Sequence, residues 1–482
     1  MLSFPSKKRS KEDVLATMRA ARDHDVQWQQ GKAFGLIYHI DEAVDALLQE
    51  AFTMFFAENG LNPTAFPSLK KFETEVVAMT ASLLGGDAQV SGNMTSGGTE
   101  SLLCAVVTAR EWARAKRPEI TAPEIVLARS AHPAFEKAAH YFGLRAVHVP
   151  VRDDLRADVS AMIRAVTPNT ILMVGSAPAY PHGVIDPIRE LAAAAQELGI
   201  LFHVDSCVGG FMLPFVRKLG YPVPDFDFSV PGVTSMSADV HKYGYAAKGA
   251  SVILYKTPEL RRHQMFVSTD WSGGIYPSPT LAGTRPAGPI AAAWAVLNYL
   301  GEEGYLEITD AVMKTVIKMR EGVNAIPGLK TLSDPEMSIF AIASDEFDIY
   351  EVADELGKYG WHLDRQHFPQ SLHVTVNYAH VAVADDFLCD LAESAAIVRA
   401  PSLRKGITKW VIKLANALTR ILPEHWVSAA MGKVSGLLGG SGGGLPERMA
   451  PMYGLIGSLP NRGDLKELVL DLLDSMTRYS KE

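Results

Sequence analysis

Cysteine is nearly absent. The 482 residues carry Cys104, Cys207 and Cys389, spaced too widely for a metal-ligand pattern or a disulfide framework. No metal site is expected, and a reducing, cytoplasmic compartment is. Positive charge is also in deficit: the formal net charge of −8 at pH 7 excludes broad nucleic-acid binding. An anionic substrate must therefore meet local cations. Long apolar runs are missing as well. The longest, 290–297, falls far short of the roughly 20 residues that a membrane-spanning helix needs. The cations Lys7, Lys8, Arg9 and Lys11 have no apolar stretch behind them, so no secretory signal is expected. What is abundant is hydrophobic residues, 48% against 21% charged, enough for a large core. At about 150 residues per domain, two or three structural units are expected.

From residue 67 to 255 short apolar segments alternate with stretches of helical periodicity. Leu69, Phe72, Val76, Met79 and Leu83 recur at helical spacing behind Ser68 as the expected N-cap, and Gly85-Gly86 closes the run. Strands are expected at 124–128, 170–175, 200–204 and 251–255, with a helix over 186–198. This alternation predicts an α/β fold with a mostly parallel central sheet covered on both faces and ligands at the carboxyl ends of its strands. Beyond Pro289 the pattern changes to helices over 290–300 and 305–325, then strands near 338–344 and 371–377. The expected division is an N-terminal segment 1–60, a large domain 61–320 and a smaller C-terminal α+β domain 321–482. An insertion at 402–446 interrupts the last, a basic amphipathic stretch followed by the linker-like Gly436-Leu-Leu-Gly-Gly-Ser-Gly-Gly-Gly444.

Three segments carry chemistry. Lys242 stands in Ser237-Ala-Asp-Val-His-Lys-Tyr-Gly-Tyr-Ala-Ala-Lys-Gly249, and Asp205 ends the apolar strand 200–204, with His203 two residues before it. A lysine and an aspartate at the ends of separate strands suit pyridoxal phosphate. The amine forms an imine with the coenzyme aldehyde, and the carboxylate keeps the pyridine nitrogen protonated. A lone loop lysine reads as a surface residue, and a lone aspartate there reads as a helix cap. Ser96-Gly-Gly-Thr-Glu-Ser101 opens a helix expected over 100–115, which makes Gly97, Gly98 and Thr99 the candidate cradle for a phosphate. His132 follows the strand 124–128, either to stack on the coenzyme ring or to cap the next helix.

The similarity runs beyond these segments. Gly31-Lys-Ala-Phe-Gly-Leu-Ile-Tyr38, Asn62-Pro-Thr-Ala-Phe-Pro-Ser-Leu-Lys-Lys-Phe-Glu73, Pro181-His-Gly-Val-Ile-Asp-Pro187, Ser278-Pro-Thr-Leu-Ala-Gly-Thr-Arg-Pro286 and Met449-Ala-Pro-Met-Tyr-Gly454 have the same character. With the Lys242 segment they resemble the sphingosine-1-phosphate lyase family, among the pyridoxal-phosphate-dependent decarboxylases. The resemblance covers the chain from Gly31 to the C-terminal helix, the insertion excepted. It implies an aspartate-aminotransferase-like fold, fold type I among pyridoxal phosphate enzymes, and a homodimer with active sites at the interface. By the same resemblance Lys242 holds the coenzyme, Asp205 meets its nitrogen and His132 stacks on its ring. His203 belongs with the cofactor-binding set, His241 and Gly97–Thr99 lie near the phosphate, and Gly283 and Thr284 reach it from the other subunit. Lys248, Tyr38 and Tyr453 assist proton transfer or substrate binding, with ordinary core packing the alternative for the tyrosines. Lys248, if close, is also expected to depress the Lys242 pKa.

The implied reaction is cleavage of the C2–C3 bond of a phosphorylated long-chain base to a fatty aldehyde and phosphoethanolamine. Its rivals are a pyridoxal-phosphate-dependent amino-acid decarboxylase and a non-catalytic scaffold. Two positions depart from the family pattern: Ala247 stands where proline is frequent and Ala287 where glycine is. The family's eukaryotic members carry an N-terminal membrane anchor, which is not expected here. Ile407, Val411, Leu414, Leu418 and Ile421 form one helical face in the insertion, with Lys405, Lys409 and Lys413 on another and Trp410 at the boundary. That makes 402–426 a candidate for peripheral membrane contact, or for a helix packed over the site entrance.

Overall fold

The computed structural model describes residues 3–23, 25, 26, 28–400, 450, 453 and 462–479; the insertion at 402–446 lies outside them. Seven strands form the main sheet: Ser91–Thr95 (β1), Glu124–Ala128 (β2), Arg145–Val149 (β3), Thr170–Ser176 (β4), Leu201–Asp205 (β5), Ser235–Ala238 (β6) and Ser251–Tyr255 (β7). Their order is β1-β7-β6-β5-β4-β2-β3. The run from β3 to β6 is parallel, and β7 is antiparallel to both of its neighbours. The sheet is therefore mostly parallel, as the alternation predicts.

The central strands are near-continuous apolar runs because both faces are covered. Alternate residues feed two separate cores. Val126, Met173, Phe202, Val204 and Leu254 pack on one face, beside the helices Pro67–Leu83 and Ile188–Glu197. Ile125, Leu127, Ile171, Val174 and Ile253 pack on the other, beside Gly98–Lys116 and Ala134–Phe142.

Three sheet strands escape the sequence reading. β3 is an edge strand with partly exposed residues. β1 and β6 read as polar, Ser-Gly-Asn-Met-Thr and Ser-Met-Ser-Ala, yet both are largely buried. Most of their polar groups are satisfied internally, although Ser91 Oγ has no hydrogen-bond partner among the described residues. Asn93 accepts from Arg261 at 3.0 Å and from Gln264 at 3.3 Å. Ser68 is not the N-cap of its helix; the helix starts one residue earlier at Pro67, whose fixed φ suits a first position.

The helix Ala287–Ala325 is two helical stretches meeting at Gly301, whose φ of 55° falls in the left-handed region that favours glycine. A hairpin precedes it, Phe266–Ser268 (β8) with Tyr276–Ser278 (β9). After it comes a four-stranded antiparallel sheet, Lys330–Thr331 (β10), Ile339–Ala343 (β11), Arg365–Gln366 (β12) and Ser371–Thr375 (β13), in the order β10-β11-β13-β12.

Direction decides where function sits. β1 is antiparallel to β7, which is antiparallel to β6, so β1, β5 and β6 all point the same way. The turn after β1, with Gly97 and Gly98, thus shares one sheet edge with Asp205 and with the segment leading from β6 to Lys242.

Candidate active site

Lys242 lies in the turn after β6, where backbone bonds tie its N–H to Asp239 and the Tyr245 N–H to Lys242. Its Nζ is 3.0 Å from Asp239 Oδ2, and the aspartate side chain is 1% exposed. Burial pushes the amine pKa down, but Asp239, with Cys207 and Asp205 behind it, outweighs this and holds Lys242 well above the ordinary lysine range. This reverses the expectation that Lys248 depresses Lys242. Lys248 is the amine that gives way: burial of its end, then the Lys242 charge, pushes it down to about 8. The residue as a whole is exposed, but Nζ donates to the His241 carbonyl at 3.2 Å and sits 5.2 Å from the Tyr38 ring centre. Tyr38 packs edge-on against Tyr243 at 4.9 Å. Burial, then Tyr180 and Asp239, raises its hydroxyl pKa well above the usual value.

Asp205 ends β5 and is 8% exposed. Its Oδ1 accepts from the Cys207 N–H at 3.1 Å and from Ser237 Oγ at 3.4 Å. His132 Nδ1 accepts from the Ala134 N–H at 3.2 Å, so the histidine does support the next helix. It also feels Asp205, Lys242 and Asp239; burial holds its pKa below the ordinary histidine value, and the ring is neutral. His203 is different. Both ring nitrogens are engaged, with Ser235 at 2.9 Å and Ser237 at 3.2 Å, and burial pushes its pKa to about 4. It is a packed residue beneath the site, with no ring nitrogen left to meet a ligand.

The helix Gly98–Lys116 begins without a side-chain cap, so its first N–H groups are left for another acceptor. A Cβ on Gly98 would come within 2.7 Å of Asp239 Oδ2 and 3.0 Å of Cys207 Sγ, so any side chain there would force the Asp239 carboxylate to shift. His241 Nδ1 and Asp239 Oδ1 are buried without hydrogen-bond partners among the described residues. Open amides, an orphaned imidazole nitrogen and a surface kept flat by glycine suit a phosphate. Beside them stand an amine and a second carboxylate at the end of β5. The set fits pyridoxal phosphate.

Thr99 is exposed in the first turn of that helix. Gly283 and Thr284 lie in the loop after β9, where Asn59 Nδ2 donates to Thr284 Oγ1 at 3.5 Å. The Leu281 N–H donates to Glu100 Oε1 at 3.1 Å, which ties this loop to the start of the helix. Tyr453 makes its ring contacts with His367, Tyr350 and Arg365; none of its described contacts joins it to Lys242. Sequence reasoning missed Asp239 and Cys207. The aspartate stands three residues before the lysine, and nothing short of the fold shows that it lies under Gly98.

Fold and site define a pyridoxal-phosphate-dependent enzyme built on the decarboxylase fold. The model of the pyridoxal-dependent decarboxylase conserved domain matches residues 2–342. The chain is 43% identical over 470 residues to the sphingosine-1-phosphate lyase of Oryza sativa subsp. japonica, covering 96% of this chain and 79% of that one. It is 45% identical to sphingosine-1-phosphate lyase 1 of Rattus norvegicus, over 83% of this chain and 71% of the relative. Among solved structures, the Burkholderia pseudomallei sphingosine-1-phosphate lyase superposes with a TM-score of 0.80 at 41% identity, covering 85% of this chain and 96% of that one. The chain belongs to the sphingosine-1-phosphate lyase family, and pyridoxal phosphate is its coenzyme.

Proposed function

We propose that this protein cleaves the C2–C3 bond of phosphorylated long-chain bases, giving a fatty aldehyde and phosphoethanolamine. The observation that carries the reading is the second amine. Lys248 lies beside Lys242, with its pKa pushed to about 8 and its Nζ over Tyr38. Decarboxylation has no hydroxyl proton to remove, whereas cleavage beside a hydroxyl needs a group that takes the C3 hydroxyl proton. An amine that titrates near neutral pH is suited to that step.

Lys242 would hold the coenzyme, with Asp205 opposite its ring nitrogen, neutral His132 against its face, and Gly97, Gly98, Thr99 and His241 about its phosphate. Bound there, pyridoxal phosphate supplies an electron sink for the pair released from the broken bond. Lys248 accepts the hydroxyl proton at Nζ, and its ammonium form then faces the substrate phosphate. The Tyr38 hydroxyl, kept protonated by burial, orients the substrate by donating; Tyr453 is the second tyrosine of that reading. In a homodimer, Gly283 and Thr284 of each copy reach the coenzyme phosphate of the other.

The division into 1–60, 61–320 and 321–482 belongs to the same reading, supported by the separate seven-stranded and four-stranded sheets. No helix among the described residues is long and apolar enough to cross a membrane. We place the enzyme in the cytoplasm, with 402–426 as the segment that would meet a membrane surface. Incubation with a phosphorylated sphingoid base tests the function. Fatty aldehyde and phosphoethanolamine in equal amounts support it; carbon dioxide from an amino acid, with no aldehyde, makes the protein a decarboxylase.

A further inference from the structure

Asp205 is held from behind by a file of side chains that the reading above leaves without a role. β5 and β6 run parallel, with His203 opposite Ser235 and Asp205 opposite Ser237. Residues two apart on a strand share a face, so these four side chains stand on one face of the sheet, and all four residues are buried. His203 Nδ1 lies 2.9 Å from Ser235 Oγ, and its Nε2 lies 3.2 Å from Ser237 Oγ. Phe135 packs edge-on against the imidazole at 5.8 Å. Ser237 Oγ also lies 3.2 Å from Cys207 Sγ and 3.4 Å from Asp205 Oδ1. The Ser237 backbone is anchored as well. Its carbonyl accepts from the Ser206 N–H at 3.1 Å and from the Ser206 hydroxyl at 2.7 Å.

Counting hydrogens sets the direction of each bond. A serine hydroxyl has one hydrogen and two lone pairs, and Ser237 Oγ faces His203, Cys207 and Asp205. A carboxylate oxygen accepts. Cys207 donates, because burial pushes its thiol far up and keeps the proton on sulfur. The hydrogen of Ser237 then has two destinations, His203 Nε2 and Asp205 Oδ1. Sent to the histidine, it leaves a serine lone pair facing the carboxylate oxygen. Sent to the carboxylate, it makes a bond to a charged acceptor, about twice as strong as one between neutral groups. The histidine then fills the remaining lone pair by donating from Nε2. Burial keeps that ring neutral, with its pKa pushed to about 4. A neutral ring protonated on Nε2 has a bare Nδ1, which the Ser235 hydroxyl meets as a donor. All the bonds run one way: Ser235 to His203, His203 and Cys207 to Ser237, Ser237 to Asp205.

We propose that Ser237 is a positioning residue for Asp205, and that His203, protonated on Nε2 alone, sets the direction of its hydroxyl. Together with the Cys207 N–H at 3.1 Å, Ser237 gives Oδ1 two donors and fixes the plane of the carboxylate. None of the described hydrogen bonds of Asp205 uses Oδ2, which is left for the ring nitrogen of the coenzyme. An apolar side chain at position 203 would fill the same space but leave the Ser237 hydroxyl free to turn away.

The proposal rests on Asp205 meeting the coenzyme nitrogen, so one of its two readouts is taken without coenzyme. Nitrogen NMR of the full-length, coenzyme-free protein carrying isotope-labelled histidine reports the tautomer of His203, whose signals are those missing from His203→Gln. A proton on Nε2 alone is expected; a proton on Nδ1, or on both nitrogens at neutral pH, overturns the proposal. The second readout is the signal of the ring nitrogen in isotope-labelled pyridoxal phosphate bound to the protein, with the dissociation constant from an absorbance titration. Ser237→Ala should move that signal toward the unprotonated position and raise the dissociation constant about tenfold, the loss of one hydrogen bond to a charged group. Asp205→Asn should move the signal further. If Asp205→Asn moves it and Ser237→Ala does not, Asp205 keeps its part and Ser237 has no positioning role. If neither moves it, the ring nitrogen meets another partner, and the reading of Asp205 falls together with the proposal.

Discussion

Replacing Lys248 separates proton transfer from charge. With its pKa near 8, about a tenth of the Lys248 amine is neutral at pH 7 and half at pH 8. An ordinary lysine near 10.5 would offer roughly one part in three thousand at pH 7. The neutral amine is the active form, so kcat/KM should rise about tenfold per pH unit below the midpoint and level off above roughly pH 8. Lys248→Arg keeps a cation for the substrate phosphate but cannot deprotonate in this range. It should hold KM within about threefold, lose on the order of 10²-fold in kcat, and lose the break near pH 8. Lys248→Gln should lose kcat and raise KM as well. The assay is aldehyde release from a phosphorylated sphingoid base between pH 6 and 9. If Lys248→Arg keeps the break in its profile, the proton-accepting role is refuted.

Gly98→Ala should leave the fold intact and weaken pyridoxal phosphate binding at least about tenfold, since its methyl group would meet the Asp239 carboxylate at 2.7 Å; unchanged affinity in an absorbance titration contradicts the cradle. Arg285 makes a two-point bond to Glu73, at 2.7 and 2.9 Å, and donates to the Met94 carbonyl. Its replacement by alanine should cost about 3–5 kcal/mol in denaturant unfolding, because a nearly buried carboxylate loses its partner. Acid should destabilise the protein below pH 6.5. His203 and His380 are pushed to about 4 and His373 to about 3, so the unfolded chain binds the protons first. Each contributes a loss of roughly 3 kcal/mol by pH 4, and buried Asp186, raised to about 6, returns about one such share. Urea midpoints at pH 7 and 4.5 measure the net loss, which His203→Gln should reduce.

The parts of the site that sequence reveals are those whose chemistry demands a residue type in a local pattern. Lys242, Asp205 and the Gly97-Gly98 turn are of this kind, and the alternation of strands and helices fixes their common edge. Asp239 is not, because an aspartate shortly after a strand reads as turn chemistry. Its role comes from β1 and β6 pointing the same way, which lays Gly98 over it. The same holds for the direction of the lysine shifts. Two lysines close in sequence suggest mutual repulsion, but which one yields its proton depends on which faces the carboxylate. β6 was hidden for a related reason: its serines, which weaken the apolar signal, are there to satisfy buried His203. His203 itself reads as a ligand only until those serines are seen.

The most direct measurement is reduction of the purified yellow protein with borohydride, followed by proteolysis and mass mapping. A pyridoxyl group on the peptide bearing Lys242, absent from Lys242→Ala, is the predicted result. The label on Lys248 or on any other lysine, or an unchanged imine absorbance in Lys242→Ala, would contradict it.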